Sequence, residues 1–92
     1  MTSAEPLPPE VAPSAGVRVV VLGKPGCHLC DDAKEVVAAV CAEADAAWEE
    51  HSIQGVPKLE AAYGEKIPVI FVDGRLHDYW RVDPARLRKA LS

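Results

Sequence analysis

Val19-Val20-Val21-Leu22 is an unbroken run of large aliphatic side chains, and it narrows the possible folds more than any other feature. It is far too short to cross a bilayer. It belongs to a nearly continuous apolar, β-branched stretch over residues 17–22. A strand of that kind is covered on both faces, which calls for helices above and below a sheet. Gly23-Lys24-Pro25-Gly26 then forces a turn. Beyond it, Leu29, Ala33, Val36, Val37, Val40 and Ala44 recur at threes and fours, so residues 28–44 are expected to form a helix with one buried stripe. Asp31 and Asp32 fall in its first turn, where the helix dipole favours negative charge.

The remaining elements follow from turn chemistry. Residues 48–53 suit a second strand, with imperfect alternation. Pro57 opens a short helix over 57–63, and Gly64 is placed to end it. Residues 67–72 are strong β-formers, Asp73-Gly74 is a hairpin signal, and the return strand covers about 75–80. Asp83-Pro84 supplies an N-cap and a first-turn proline for a last helix over 84–91. The expected order is β-α-β-α-β-β-α, an α/β fold that opens with a parallel, right-handed βαβ unit and ends in an antiparallel hairpin with a closing helix. Residues 1–15 are rich in proline and read as a disordered leader with no role in the fold, leaving 16–92 as the domain.

Composition excludes several functions. With 92 residues there is room for one domain. A net charge of −4 and the absence of a Lys/Arg stripe argue against nucleic-acid binding. No secretory signal or membrane span is visible, so a monomeric, cytoplasmic protein is expected, in a compartment that keeps thiols reduced. Three cysteines do not make a disulfide framework.

Two of them, Cys27 and Cys30, stand three apart at the start of the first helix. There the backbone N–H groups are unpaired and the dipole is positive, and both favour thiolate over thiol. Thiolate is the attacking species in disulfide exchange. Cys27 is therefore expected to attack a substrate disulfide and Cys30 to resolve the mixed disulfide. A zinc site would need two further ligands. Cys41 lies eleven residues beyond Cys30 in the same helix, and no second Cys-x-x-Cys exists. A redox-inert, metal-binding or cluster-carrying docking module is the competing reading.

Three segments carry a resemblance to a known family: the strand at 17–22, Lys24-Pro25-Gly26-Cys27-His28-Leu29-Cys30, and the stretch from Tyr63 to Gly74 containing Ile67-Pro68. Together they resemble the glutaredoxin-like branch of the thioredoxin superfamily, most closely its small bacterial members. The resemblance implies a four-stranded mixed sheet with helices on both faces. It also implies a cis Pro68 beside the dithiol, with the Ile67 backbone free to pair with an extended thiol peptide. Lys24 matches a lysine that in glutaredoxins helps hold the carboxylate of glutathione. Where that family has a Gly-Gly pair after the last strand, this chain has Asp78-Tyr79-Trp80-Arg81-Val82-Asp83. Glutathione, another low-molecular-weight thiol such as mycothiol, and protein disulfides therefore all stay open as partners, with no resident cofactor or metal expected.

Other residues have plainer expectations. Cys41 is expected in the core, His51 and His77 on the surface, and one of Tyr79 and Trp80 inward. His28 is either an exposed turn residue or a group that tunes Cys27.

Overall fold

Prolines and apolar alternation set most element boundaries in the computed structural model, which describes residues 5–92. The elements are β1 (Val17–Gly23), α1 (His28–Ala44), β2 (Ala47–Ser52), α2 (Pro57–Tyr63), β3 (Val69–Val72), β4 (Arg75–Tyr79) and α3 (Pro84–Leu91). The strands form one sheet in the order β2-β1-β3-β4. β1 runs parallel to β2 and antiparallel to β3, and β3 pairs antiparallel with β4.

The apolar run of β1 is explained by its central place. Val19 and Val21 face one side, where they meet Ile70 and Val72 of β3, Val37 and Val40 of α1, and Leu87 of α3. Val20 and Leu22 face the other side, with Val69, Phe71 and the α2 residues Leu59 and Tyr63. Each fully buried aliphatic or aromatic side chain contributes about 1.5–3 kcal/mol, so these two layers dominate stability. Pro57 and Pro84 stand at the first turns of α2 and α3, where a missing N–H costs nothing. Asp83 caps α3, accepting from Ala85 N at 2.9 Å.

The β3–β4 hairpin turns at Asp73 and Gly74, with φ of 52° and 81°. Two positive φ values match the twist of the flanking strands. Arg18 of β1 clamps this turn, donating from Nε and Nη2 to the two Asp73 carboxylate oxygens at 2.9 and 2.8 Å. Its Nη1 also donates to the Leu91 carbonyl at 3.1 Å, tying in the end of α3. The guanidinium holds the Asp73 carboxyl below the usual carboxylate range.

Four expectations are corrected. The leader is not a bystander: Leu7 N donates to Gly74 O and Leu76 N to Glu5 O, so residues 5–7 line the outer edge of β4. Val11 is buried among Val20, Leu59 and Phe71. Prolines forbid helix but favour an extended chain, and an open sheet edge offers such a chain its unpaired groups. The first four leader residues lie outside the described residues. β3 begins at Val69 rather than residue 67, because Pro68 has no N–H to give the ladder. The buried face of α1 is Cys30, Ala33, Val37, Val40 and Cys41, so Leu29 and Ala44 stand outside it. His77 is half-buried rather than a surface residue, and its Nε2 is enclosed without a partner among the described residues. Cys41 takes its expected core position, where burial raises its thiol pKa.

Candidate redox site

The site is built where β1 stops. Gly23 is its last residue, residues 24–26 turn the chain, and Cys27 enters α1 as its N-cap with extended φ and ψ. The Cys27 Sγ accepts a hydrogen bond from Cys30 N at 3.2 Å, satisfying one of the orphan donors of the helix start. Cys27 and Cys30 are joined as a disulfide, with their Cα atoms 5.2 Å apart.

The two cysteines are not equivalent. Cys27 is half-buried, whereas Cys30 is only 1% exposed. Cys30 lies directly on Gly23: a Cβ built there would stand 2.9 Å from the Cys30 Sγ and 3.2 Å from its Cβ. The chain thus leaves a side chain out at the end of β1 to seat the inner sulfur. A glycine in a strand often marks such a close approach. In the sequence, Gly23 stands out only as the first residue of the Gly23-Lys24-Pro25-Gly26 turn.

An ion-pair cluster sits beside this contact. The Glu50 Oε2 lies 3.6 Å from the same Gly23 Cβ position. Lys34 Nζ, from α1, donates to Glu50 Oε1 at 3.2 Å and pairs with Asp31 Oδ1 at 3.4 Å. These carboxylates raise the Lys34 pKa, the hydrogen bond to Glu50 contributing most. No pattern in the sequence singled out Glu50 or Lys34, because their meeting depends on the parallel pairing of β2 with β1. Lys24 lies exposed on the turn and lines a groove on this β2 side with Asp31, Lys34, Glu50 and Ser52.

Ile67 and Pro68 lie on the other flank, just before β3. Both are buried, and the peptide bond between them is cis. Cys30 and Ile67 share one core cluster, against which Cys27 also packs. Among the described residues, the Ile67 N–H and carbonyl exchange no hydrogen bond with other backbone. The Pro68 carbonyl is taken by Trp80 N at 2.7 Å. Ile67 therefore shares the core layer of Cys30, and Lys24 lines the groove on the β2 side of β1.

Tyr79 packs on the Ile67 side of the core, while Trp80 is 51% exposed. Trp80 adopts a φ of 62°, rare for so large a side chain. Its indole N–H donates to the Glu65 carbonyl at 2.9 Å. His28 is exposed at the helix start. Among the described residues, no three His, Cys, Asp or Glu side chains converge in the manner of a metal site. No helix among them is long and apolar enough to cross a membrane.

Several proteins are similar to this chain over most of its length. Uncharacterized proteins of Mycobacterium tuberculosis and Mycobacterium bovis are 34% identical over 80 residues, covering 82% of each chain. The X-ray structure of a structural-genomics target protein from X. campestris is 36% identical, with a TM-score of 0.67 over 79% of this chain and 93% of that one. The solution structure of a Nitrosomonas europaea protein, 24% identical, shares the fold with a TM-score of 0.72 over 89% of this chain and 99% of that one. The family model described as Glutaredoxin-like domain (DUF836) matches residues 18–92, everything from the second residue of β1 to the last residue of the chain. With that match over most of its length, and with a four-stranded α/β fold that sets a Cys-x-x-Cys disulfide at a helix start, the chain belongs to the glutaredoxin-like family.

Proposed function

We propose that the protein is a thiol–disulfide oxidoreductase in which Cys27 attacks and Cys30 resolves. The observation that carries this reading is the unequal placement of the two sulfurs. Cys27 caps the helix from a half-buried position, and Cys30 is sealed against Gly23. In the reduced protein, the helix start favours a thiolate on Cys27. That thiolate attacks one sulfur of a substrate disulfide and expels the other as a thiolate, which takes up a proton from water to become a thiol. Cys30, deprotonated in turn, attacks the Cys27 sulfur of the mixed disulfide and releases the second thiol. The balance is one protein dithiol oxidised to a disulfide and one substrate disulfide reduced to two thiols.

An extended substrate lying over the dithiol finds the unpaired Ile67 N–H and carbonyl beside Pro68. Substrates of this kind are protein disulfides or mixed disulfides with low-molecular-weight thiols. Glutathione or another low-molecular-weight thiol restores the dithiol, with Lys24 available to a thiol carboxylate. The protein acts as a monomer in the cytoplasm.

Turnover of a small mixed disulfide tests the proposal, with glutathione, mycothiol and thioredoxin reductase offered separately as reductants. Wild type turns over with at least one of them. Cys27→Ser is inactive, and Cys30→Ser accumulates a mixed disulfide visible by mass. Failure of the wild type with all three, or stoichiometric metal lost on mutating either cysteine, would favour a docking or metal-binding module.

A further inference from the structure

Among the described residues, the large apolar side chains left exposed are Leu29 and Trp80, at 47% and 51%. Scattered exposed apolar residues need no explanation, but these two line the same cavity. Leu29 comes from within the Cys-x-x-Cys, and Trp80 from the turn after β4. Ala33 and Val36 of α1 and Val82 complete its apolar walls, with Asp32 and Arg81 on the rim. Leu29 lies between Cys27 and Cys30 in the chain, so one wall of the cavity belongs to the helix start that carries Cys27, the sulfur that receives the substrate in the proposed reaction.

Trp80 is not there by slackness of the chain. It holds a left-handed φ of 62°, pinned by its backbone N–H on the Pro68 carbonyl and its indole N–H on the Glu65 carbonyl. Strained backbone on a bulky residue persists only where its surroundings over-determine it, and such residues concentrate at ligand sites. The indole is tethered by its polar end, so its apolar face is left to the cavity.

We propose that this cavity is a specificity pocket for a protein substrate, taking the aliphatic or aromatic side chain next to the substrate's disulfide cysteine. The proposal rests on the oxidoreductase function above and names its substrate class. Size favours a single side chain: the volume is about 190 Å³, below the ~300–1,000 Å³ of sites that enclose whole small molecules. Its walls are apolar and its rim carries one charge of each sign, which suits a peptide side chain better than the charged arms of a small thiol. One wall comes from within the Cys-x-x-Cys through Leu29, and the other is tied to the Ile67-Pro68 segment through the Trp80 N–H on the Pro68 carbonyl at 2.7 Å, so one extended segment can engage the cavity, the dithiol and the Ile67 backbone. Chemically the step is the exchange already described, with the peptide cysteine as the sulfur bonded to Cys27.

Two short peptides test this, one with its cysteine flanked by leucines and one with it flanked by serines, each as a mixed disulfide with 2-mercaptoethanol. Pre-reduced full-length protein is mixed with each, and single-turnover rates are normalised to those with dithiothreitol. Wild type is expected to prefer the leucine peptide by about tenfold or more. Trp80→Gly, which keeps the backbone conformation accessible, and Leu29→Ser, from the opposite wall, are each expected to bring the ratio close to one. Equal rates for wild type with the two peptides, or an undiminished ratio in either folded variant, would overturn the pocket. Reduction of neither peptide by wild type, while dithiothreitol reduces both, would overturn the oxidoreductase function and the pocket with it.

Discussion

Gly23 and Cys30 touch so closely that a methyl group on Gly23 would stand 2.9 Å from the Cys30 sulfur. Gly23 ends the central strand, paired with β2 through Ser52, and Cys30 is held by the first turn of α1. Neither backbone yields easily. The contact fixes the height at which α1 starts above the sheet, and with it the depth of the inner sulfur.

Gly23→Ala is therefore expected to destabilise the oxidised protein by about 1–3 kcal/mol, the range for overpacking a close contact. Urea unfolding reads the difference. In a Cys30→Ala background, with the sulfur gone, the same substitution is expected to cost much less, and the double-mutant cycle isolates the contact. Equal costs in both backgrounds would mean that the sulfur is not what Gly23 accommodates.

Much of the architecture was legible because local chemistry and tertiary packing agree. Proline at the first turn marked the starts of α2 and α3, and Asp73-Gly74 marked the hairpin. The parts that were not legible depend on distant partners. The apolar positions of α1 fit a stripe through Leu29 and one through Cys30 almost equally well. The choice is made by Gly23, which lets Cys30 sink onto the end of β1. Trp80 has no local reason to adopt a left-handed conformation. Its bonds to Pro68 and Glu65 impose it, across twelve and fifteen residues of chain. The dithiol was visible as a spacing, but its neighbours Glu50 and Lys34 became so only once β2 lay against β1.

His77 gives the protein a pH-dependent weakness. Burial pushes its imidazole below the ordinary value of 6.5, and Arg86 acts in the same direction against the weaker pull of Asp78 and Asp83. The Nε2 is enclosed without a partner among the described residues. Protonation is then harder in the folded protein than in the unfolded chain, so the unfolded state binds more protons as pH falls below that value. Stability must fall with it. His77→Leu is expected to narrow this loss, with the variant gaining on wild type between about pH 7.5 and pH 5.5 in urea midpoints. A constant difference across that range would show that the imidazole does not titrate on unfolding.

The N-terminal segment is expected to behave as part of the core. Val11 is 5% exposed beside Tyr63, whose hydroxyl donates to Glu5 Oε2 at 3.2 Å. Burial, followed by the Glu5 charge, pushes the Tyr63 phenol up to about 12. Val11→Ala removes two buried methylene equivalents, at about 0.8 kcal/mol each, and should lower stability by about 1.6 kcal/mol. Glu5→Ala keeps the Val11 contact but removes both the carboxylate and the acceptor, so the phenol should ionise at lower pH, still above its ordinary value of 10.0 because burial remains. Phenolate absorbance in an alkaline titration, referenced to Tyr63→Phe to remove the Tyr79 signal, follows that shift. A Tyr63 titration unmoved by Glu5→Ala, together with a neutral Val11→Ala, would mean that the segment leaves the sheet edge in solution. A downward shift paired with a loss of stability would place it against β4 and α2 as a working part of the fold.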